Sequence, residues 1–198
     1  MKKTKKKRSK LSKYALYTGV AFYIFGFFLI LYIIHSQAVN SNSIIKPTTY
    51  VVKTDPSIAN EISGVPKKLI IPELNINLPI IPGYYNQKTQ TWTLTVNMVQ
   101  FATITPEPNN VEGNTFLYGH ARAAVFANLH NISPDSEAIV ETTNNHSFYY
   151  KLTSIKTVTP YNDSVFEYSG PPILTIQTCT GLFWQNRQFF TFSLVKVT

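Results

Sequence analysis

Residues 173–197, ILTIQTCTGLFWQNRQFFTFSLVKV, decide the fold of this chain. β-Branched and aromatic residues fill two runs within this stretch and predict two strands, at 173–179 and 188–197. The first strand ends at Cys179, where a loop follows and can expose the thiol. A hairpin between the two strands would return Arg187 to the side of Cys179.

Similar runs, separated by Pro, Gly and Asn, extend back to residue 65 and predict an all-β sandwich or barrel. The stretch 122–132 is the exception, because its apolar residues fall at i, i+1, i+4 and i+7 and form one helical face. That face consists of Val125, Phe126, Leu129 and Ile132. Further strands are expected at residues 68–71, 76–81, 91–96, 114–120, 138–142, 147–155 and 156–160, the last two counting as one bent strand or as two.

The basic residues are concentrated at the beginning of the chain. Eight of the 18 lysines and arginines lie in residues 1–13, so the rest of the chain holds ten basic and ten acidic groups. Residues 14–34 carry no charge, and a helix of this length spans roughly 31 Å, the thickness of a bilayer core. We predict a transmembrane signal-anchor helix whose basic flank stays in the cytoplasm. The alternative is a cleaved signal peptide, whose apolar region is usually shorter.

The sequence therefore divides into four parts. A basic cytoplasmic tail at 1–13 and a membrane helix at 14–34 precede an extracellular linker at 35–64, rich in Ser, Asn, Thr, Pro and Lys. The outer domain at 65–198 is long enough for one hydrophobic core without cross-links. We expect a single-pass protein of the cell membrane with this domain outside and the lipid bilayer as a partner. The net charge of +8 belongs to the tail, so the neutral outer domain argues against nucleic-acid binding.

Cys179 is the one cysteine of the chain, which excludes an intramolecular disulfide framework and a CxxC metal or redox site. A thiol outside the cell tends to be oxidised or paired between chains unless it has a use. A buried core cysteine and an intermolecular disulfide are the alternatives to a nucleophile. A nucleophilic thiol needs a neighbouring imidazole that accepts its proton or stabilises the thiolate.

His120 is the candidate imidazole among four histidines. It closes the predicted strand at 114–120, a position at a strand end like that of Cys179. His35 abuts the predicted membrane helix and is interpreted as an interfacial residue. His130, on the short helical turn, and His146, in a polar turn, are interpreted as solvated.

An arginine is the candidate for stabilising the negative charge that develops on a carbonyl oxygen under attack by a thiolate. Its guanidinium is always charged and presents several donors. Two arginines lie outside the basic tail, Arg122 and Arg187. The predicted hairpin favours Arg187, and Arg122 is the competitor.

The order of these residues resembles the sortase family. That family shows a Gly-His followed by a Phe-x-x-Leu turn, a Thr-Leu-x-Thr-Cys strand and a downstream arginine. The corresponding segments here are 119–120, 126–129, 175–179 and Arg187, with Ile176 in place of the usual leucine. Two upstream segments, 66–72 and 78–80, are similar to the family's opening strands, so the resemblance covers residues 65–197.

The resemblance implies a closed eight-stranded β-barrel and a membrane-anchored cysteine transpeptidase. Such an enzyme cuts a Leu-Pro-x-Thr-Gly sorting signal on secreted proteins and passes the acyl group to an amine of a cell-wall precursor or a pilin lysine. It implies that Cys179 is the nucleophile and His120 the general acid/base. Arg187 would hold the substrate and stabilise the oxyanion, and Thr178 would line the pocket unless it serves the strand alone.

The loop between Cys179 and Arg187 holds three consecutive apolar residues, Leu182, Phe183 and Trp184. They border a substrate groove in one interpretation and pack over the barrel mouth in the other. No cofactor is expected, and acidic residues in the domain are too few and scattered to support a calcium site.

Two other functions compete with this interpretation. A non-catalytic surface adhesin or scaffold on a sortase-like barrel needs none of the three polar groups. A cell-wall transpeptidase of the L,D type also combines Cys, His and Arg on an all-β scaffold. That family shows a His-Gly-Cys or similar sequence at its nucleophile, whereas this chain has Gln177-Thr178-Cys179.

Overall fold

The computed structural model describes residues 23–30 and 60–198. Residues 23–30 are helical and belong to the predicted membrane span at 14–34. The remainder of that span, the basic tail and the linker up to residue 59 lie outside the described residues. Within the described ranges, no helix is long and apolar enough to cross a bilayer. The membrane anchor therefore stays a prediction.

The described residues from 60 to 198 form ten strands and two short 3₁₀ helices, at Pro72–Leu74 and Ala127–Asn131. The strands are β1 (Pro66–Ile71), β2 (Ile76–Gly83), β3 (Tyr85–Asn86), β4 (Thr91–Trp92), β5 (Val99–Ala102), β6 (Asn114–Tyr118), β7 (Glu137–Thr142), β8 (Ser147–Val158), β9 (Ile173–Thr180) and β10 (Asn186–Val197). Eight of them form a closed β-barrel, as predicted, with the strand order β1-β2-β5-β6-β9-β10-β8-β7. Strands β3 and β4 pair only with each other and form a separate hairpin.

One strand prediction needs correction, one strand was missed, and one of two alternatives is confirmed. The strand expected at 91–96 is only the two-residue β4, which lies outside the barrel. Strand β5, Val-Gln-Phe-Ala, was missed because a run of four residues is too short to show a clear strand period. The two runs at 147–155 and 156–160 form one strand, β8, which ends at Val158.

The barrel interior is filled by side chains from alternate strand positions. In β9 these are Leu174 and Ile176, and in β10 Phe190 and Phe192, all fully buried. Burial of one such side chain stabilises the fold by roughly 1.5–3 kcal/mol. The apolar face predicted in 122–132 is buried along its whole length, although only its second half is a 3₁₀ helix.

The barrel has two distinct ends, which we name after one residue of each. β6 and β9 are parallel neighbours, and β10 runs antiparallel to β9. The carboxyl ends of β6 and β9 and the start of β10 therefore meet at one end, the Cys179 end. The opposite end, the Asn144 end, holds the β7–β8 turn and the start of β1.

Hydrogen bonds fasten residues 60–65 to the Asn144 end. The Ile62 N–H donates to the side-chain oxygen of Asn110 at 2.9 Å, and the Asn144 side-chain amide donates to the Ser63 carbonyl at 2.7 Å. The Gly64 N–H donates to the carbonyl of residue 108 at 3.2 Å. The segment that leads into the barrel is thus attached away from Cys179.

Candidate active site

Three strands bring the predicted site residues into one row. Cys179 in β9 is directly opposite Arg187 in β10, so both side chains leave the same face of the sheet. On the other side of β9, Tyr118 in β6 is paired with Gln177. Continuing that register by two residues brings the backbone of His120 level with Cys179. The row His120, Cys179, Arg187 therefore lies across the Cys179 end of the barrel.

Hydrogen bonds hold the chain of β6 against β9 beyond the last paired residue. The Gly119 N–H donates to the Gln177 carbonyl, and the Thr178 hydroxyl donates to the Gly119 carbonyl, both at 3.1 Å. The Phe126 N–H then donates to the His120 carbonyl at 3.1 Å. These contacts fix Gly119 and the carbonyl group of His120 itself.

A glycine is required at position 119, immediately before His120, because the turn at 122–132, which we name the apolar turn, packs directly on Gly119. A Cβ atom at Gly119 would lie 2.8 Å from a methyl carbon of Val125 and 2.9 Å from the ring of Phe126. Such distances are well inside van der Waals contact, so any side chain here would push the turn away. The Gly-His pair is thus explained by close packing.

The surroundings of His120 favour a neutral imidazole. Burial lowers the pKa of His120, and the positive charge of Arg122 lowers it further. Both effects penalise the imidazolium, so the ring is available as a proton acceptor at neutral pH. Arg122, the competing arginine, thus acts on His120 through its charge, whereas Arg187 is the arginine paired with Cys179.

The guanidinium of Arg187 is held against the loop that joins β9 to β10. Its Nη1 donates to the carbonyls of Trp184 and Asn186, both at 3.1 Å. The loop reaches this geometry through two residues with positive φ, Gly181 at 93° and Trp184 at 59°. Glycine adopts such a φ at no steric cost, which accounts for its place after the strand.

Half-buried Cys179 borders two cavities. The larger one, of about 690 Å³, is a groove that we name the aromatic groove. Arg187 lines it together with Tyr118, Gln177, Trp92 and further residues of the hairpin β3–β4 and of the loop after β8. The smaller cavity, of about 280 Å³, lies on the side of the apolar turn and is lined by Ala121, Phe126, Ala127 and His130 among others.

The four residues predicted to bind substrate differ in their burial and in whether they line a cavity. Thr178 is buried and lines the smaller cavity, and its hydroxyl bonds to Gly119. Trp184 also lines the smaller cavity. Leu182 and Phe183 are 66% and 82% exposed and line neither cavity, so neither interpretation of these two residues is supported.

Sequence reasoning missed the residues that line the aromatic groove. Tyr118 and Gln177 precede His120 and Cys179 by two positions, so strand alternation alone would have indicated them. Trp92 and Phe166 come from a hairpin and a loop, and no local pattern in the sequence points to either. Of the other histidines, His130 is exposed and His146 half-buried, and His35 lies outside the described residues.

The chain is similar to known sortases in sequence and in structure. The family model of the sortase domain matches residues 69–191. Sortase E1 from Streptomyces coelicolor, solved with a tripeptide in its active site, is 26% identical, with a TM-score of 0.54 over 68% of this chain and 90% of that one.

Two further structures share the fold at lower identity. Sortase C2 of pilus island 1 from group B Streptococcus is 22% identical, with a TM-score of 0.55 over 66% of this chain and 73% of that one. The sortase SrtA from Actinomyces oris is 20% identical, with a TM-score of 0.56 over 67% of this chain and 81% of that one. No curated protein sequence gives a significant match.

Proposed function

Because the chain belongs to the sortase family, we propose that it is a membrane-anchored transpeptidase that cleaves a Leu-Pro-x-Thr-Gly-type sorting signal on secreted proteins. Cys179 would form a thioester with the acyl part, which is then transferred to an amine of a cell-wall precursor or a pilin lysine. The family consists of cysteine transpeptidases, and this chain has one cysteine.

One observation carries the proposal. The register of β9 and β10 pairs Cys179 with Arg187, and both line the aromatic groove of about 690 Å³; the register of β6 and β9, continued two residues past Tyr118, brings the backbone of His120 level with Cys179. These are an acid/base, a nucleophile and a cation, the groups that acyl transfer from a peptide bond requires. The likeness to a sortase with a tripeptide in its active site supports a peptide as the ligand.

In the first half of the reaction, the imidazole of His120 accepts the thiol proton and the sulfur of Cys179 attacks the threonine carbonyl carbon. The oxyanion is stabilised by the guanidinium of Arg187, whose Nε and Nη2 remain after Nη1 donates to the loop. The C–N bond then breaks, and the imidazolium of His120 donates its proton to the leaving amine. The product is a thioester on Cys179.

In the second half, an amine attacks the thioester carbonyl while His120 accepts a proton from it. The C–S bond breaks, and the imidazolium returns the proton to the sulfur of Cys179. A thioester conserves the free energy of the peptide bond, so a new amide forms wherever an amine arrives before water. Attack by water releases a carboxylic acid instead.

The membrane anchor is part of the proposal and is supported by the sequence. The uncharged stretch 14–34 with its basic flank predicts an anchor that leaves the barrel outside the cell. In intact cells, protease added from outside should therefore degrade the barrel and spare the tail at 1–13. Degradation of a tag on the tail would contradict this orientation.

The reaction is tested with the full chain in detergent micelles and a Leu-Pro-Ala-Thr-Gly peptide labelled at both ends. Mass spectrometry should find the acyl part on Cys179, hydroxylamine should release it, and triglycine should convert it to a new peptide. Cys179→Ala should form no adduct. His120→Ala should lower the acylation rate by roughly two to four orders of magnitude.

The competing function, a non-catalytic scaffold, predicts that neither the wild type nor Cys179→Ala forms an adduct. An adduct of equal yield on both proteins would also contradict the proposal, because the reaction would then not involve the thiol. If His120→Ala reacts at the wild-type rate, the acid/base role of His120 is wrong, while the role of Cys179 as nucleophile is unaffected.

A further inference from the structure

The loop that joins β9 to β10 carries three consecutive apolar side chains that the barrel does not bury. Leu182, Phe183 and Trp184 are 66%, 82% and 57% exposed, and the first two line neither cavity. Large apolar side chains that lie together on a surface mark a contact with a protein or a membrane. We name residues 182–184 the exposed tip.

Hydrogen bonds within the loop hold the exposed tip in a defined shape. The Phe183 N–H donates to the side-chain oxygen of Gln185 at 2.8 Å, and the Trp184 N–H donates to the Gly181 carbonyl at 3.2 Å. The Trp184 carbonyl accepts from the guanidinium of Arg187. The polar side chain of the loop is thus bonded to its backbone, while the apolar side chains remain in solvent.

Another exposed aromatic residue lies at the same end of the barrel. Val158, the last residue of β8, is paired with Arg187, so the loop after β8 leaves the barrel at the Cys179 end. Tyr161 in this loop is 93% exposed. Among the described residues of the outer domain, Tyr161 and the first two residues of the exposed tip are the most exposed of the large apolar and aromatic side chains.

The turn at the opposite end of the barrel is polar. The β7–β8 turn reads Thr-Asn-Asn-His at 143–146, and its first three residues are exposed. Side-chain amides of Asn110 and Asn144 bond there to the backbone of residues 60–65. An apolar partner would therefore contact the Cys179 end.

The bilayer is an apolar phase that the predicted anchor at 14–34 would keep within reach of the outer domain. Trp and Tyr are enriched at the membrane interface, and Trp, Phe and Leu form the apolar face of segments that lie in it. Residues 180–186 carry no charge, so insertion of the tip removes no charged side chain of this loop from water.

The length of the linker permits this contact. Residues 35–59 are twenty-five residues between the predicted span and the described part of the outer domain. An extended chain of that length covers up to about 85 Å. The twelve residues of β10 cover only about 40 Å. Attachment of residues 60–65 at the Asn144 end therefore does not prevent the Cys179 end from reaching the bilayer.

We propose that the exposed tip, together with Tyr161, is a membrane-docking surface that inserts into the interface of the bilayer. This inference rests on the membrane anchor of the proposed function. Trp184 lines the smaller cavity and Tyr161 lines the aromatic groove, so docking would bring the mouths of both cavities to the membrane surface. Peptides and amines held at the bilayer would then meet Cys179 more often than dissolved ones.

The two tryptophans of the chain provide the test, because both lie in the outer domain and one belongs to the exposed tip. The full chain is placed in phosphatidylcholine and phosphatidylglycerol vesicles whose brominated acyl chains quench tryptophan on contact. Trp92→Phe leaves Trp184 as the reporter, and Trp184→Phe leaves Trp92, which packs against Tyr118 and Phe166. Quenching should be about threefold stronger or more for Trp184, because interfacial side chains lie about 5–10 Å deep.

Removal of the apolar side chains should abolish the contact. In the Trp92→Phe background, Leu182→Ser combined with Phe183→Ser should reduce the quenching of Trp184 to the level of Trp92. Val111→Ser is the matched control, because Val111 is an exposed apolar residue beside Asn110, at the opposite end. It should leave the quenching of Trp184 unchanged. Circular dichroism verifies that each variant is folded.

Equal quenching of the two tryptophans would overturn the docking surface. Trp184 emission that shifts to the blue without quenching would also overturn it, because protein rather than lipid would then cover the tip. Neither result would affect the proposed reaction if Cys179 still forms its thioester.

Selective quenching of Trp184 without any adduct on Cys179 would support the docking surface and contradict the transpeptidase. If the full chain does not float with the vesicles, the predicted anchor and the docking surface are both wrong.

Discussion

The two ends of the barrel are built differently. At the Asn144 end, side-chain amides of Asn110 and Asn144 bond to the backbone of residues 60–65. At the Cys179 end, the β9–β10 loop contains two positive-φ residues and leaves Leu182 and Phe183 exposed. Loops that carry reacting groups must be accessible to the substrate, and they belong to the less stable parts of a fold. We therefore expect substitutions at the Asn144 end to change stability and those at the Cys179 end to change activity.

The largest effect is expected from Arg187→Ala at the Cys179 end. Loss of the cation opposite Cys179 should lower kcat/KM by about two to three orders of magnitude, as for other oxyanion donors. The free energy of unfolding should change by less than about 1 kcal/mol, because the side chain is only half-buried. Peptide cleavage kinetics and urea denaturation measure the two quantities.

Lys196→Ala is the control for charge, because Lys196 lies over the ring of Tyr149, away from Cys179. It removes one positive charge and should leave kcat/KM within about twofold of the wild type. Equal losses of activity in Arg187→Ala and Lys196→Ala would mean that the net charge of the protein, rather than the position of Arg187, determines kcat/KM.

A smaller loss is expected from Thr178→Val, which removes the hydroxyl bond to Gly119 and frees the end of β6. Misplacement of His120 should lower kcat about tenfold with an unchanged KM for the peptide. Thr178→Ser restores the hydroxyl and should restore kcat. A Thr178→Val enzyme with wild-type kcat would show that this bond does not position His120.

At the Asn144 end, Asn144→Ala should lower the free energy of unfolding by about 1–2 kcal/mol, because the bonds to Ser63 and to the Thr142 hydroxyl are lost. Activity at 25 °C should not change. Thermal denaturation and peptide cleavage test both statements. Asn144→Asp keeps the oxygen that accepts from Thr142 but loses the donor, so an intermediate stability is expected.

The smallest effect concerns the ionisation of His120. Arg122→Gln removes a positive charge near the ring, so the pKa of His120 should rise towards its ordinary value of 6.5. NMR titration of the ring protons measures this pKa. Because the folded-state pKa is depressed, His120 lowers stability as the pH falls below 6.5, and Arg122→Gln should weaken that loss. A pKa that does not rise in Arg122→Gln would exclude Arg122 as a cause.

Much of the fold followed from local patterns. Strands β9 and β10 and the buried face in 122–132 were predicted from the runs and spacing of their apolar residues, whereas the closed barrel was implied by the resemblance to sortases. Strand β5 was missed because four residues are too few to show a clear period, and the hairpin β3–β4 was missed because two-residue strands show none. In the site, Cys179, His120 and Arg187 were identified as residues that close or open a strand.

The sequence by itself predicted which groups carry the chemistry, and it determined that Cys179 and Arg187 are neighbours, because a short loop joins their strands and a hairpin pairs residues close in the chain. Only the tertiary structure decided that β6 lies parallel to β9, which brings His120 to the same row. It also decided that Trp92 meets Phe166 across the groove. Both contacts join segments about sixty or more residues apart, and burial of the whole barrel, rather than any local preference, selects them.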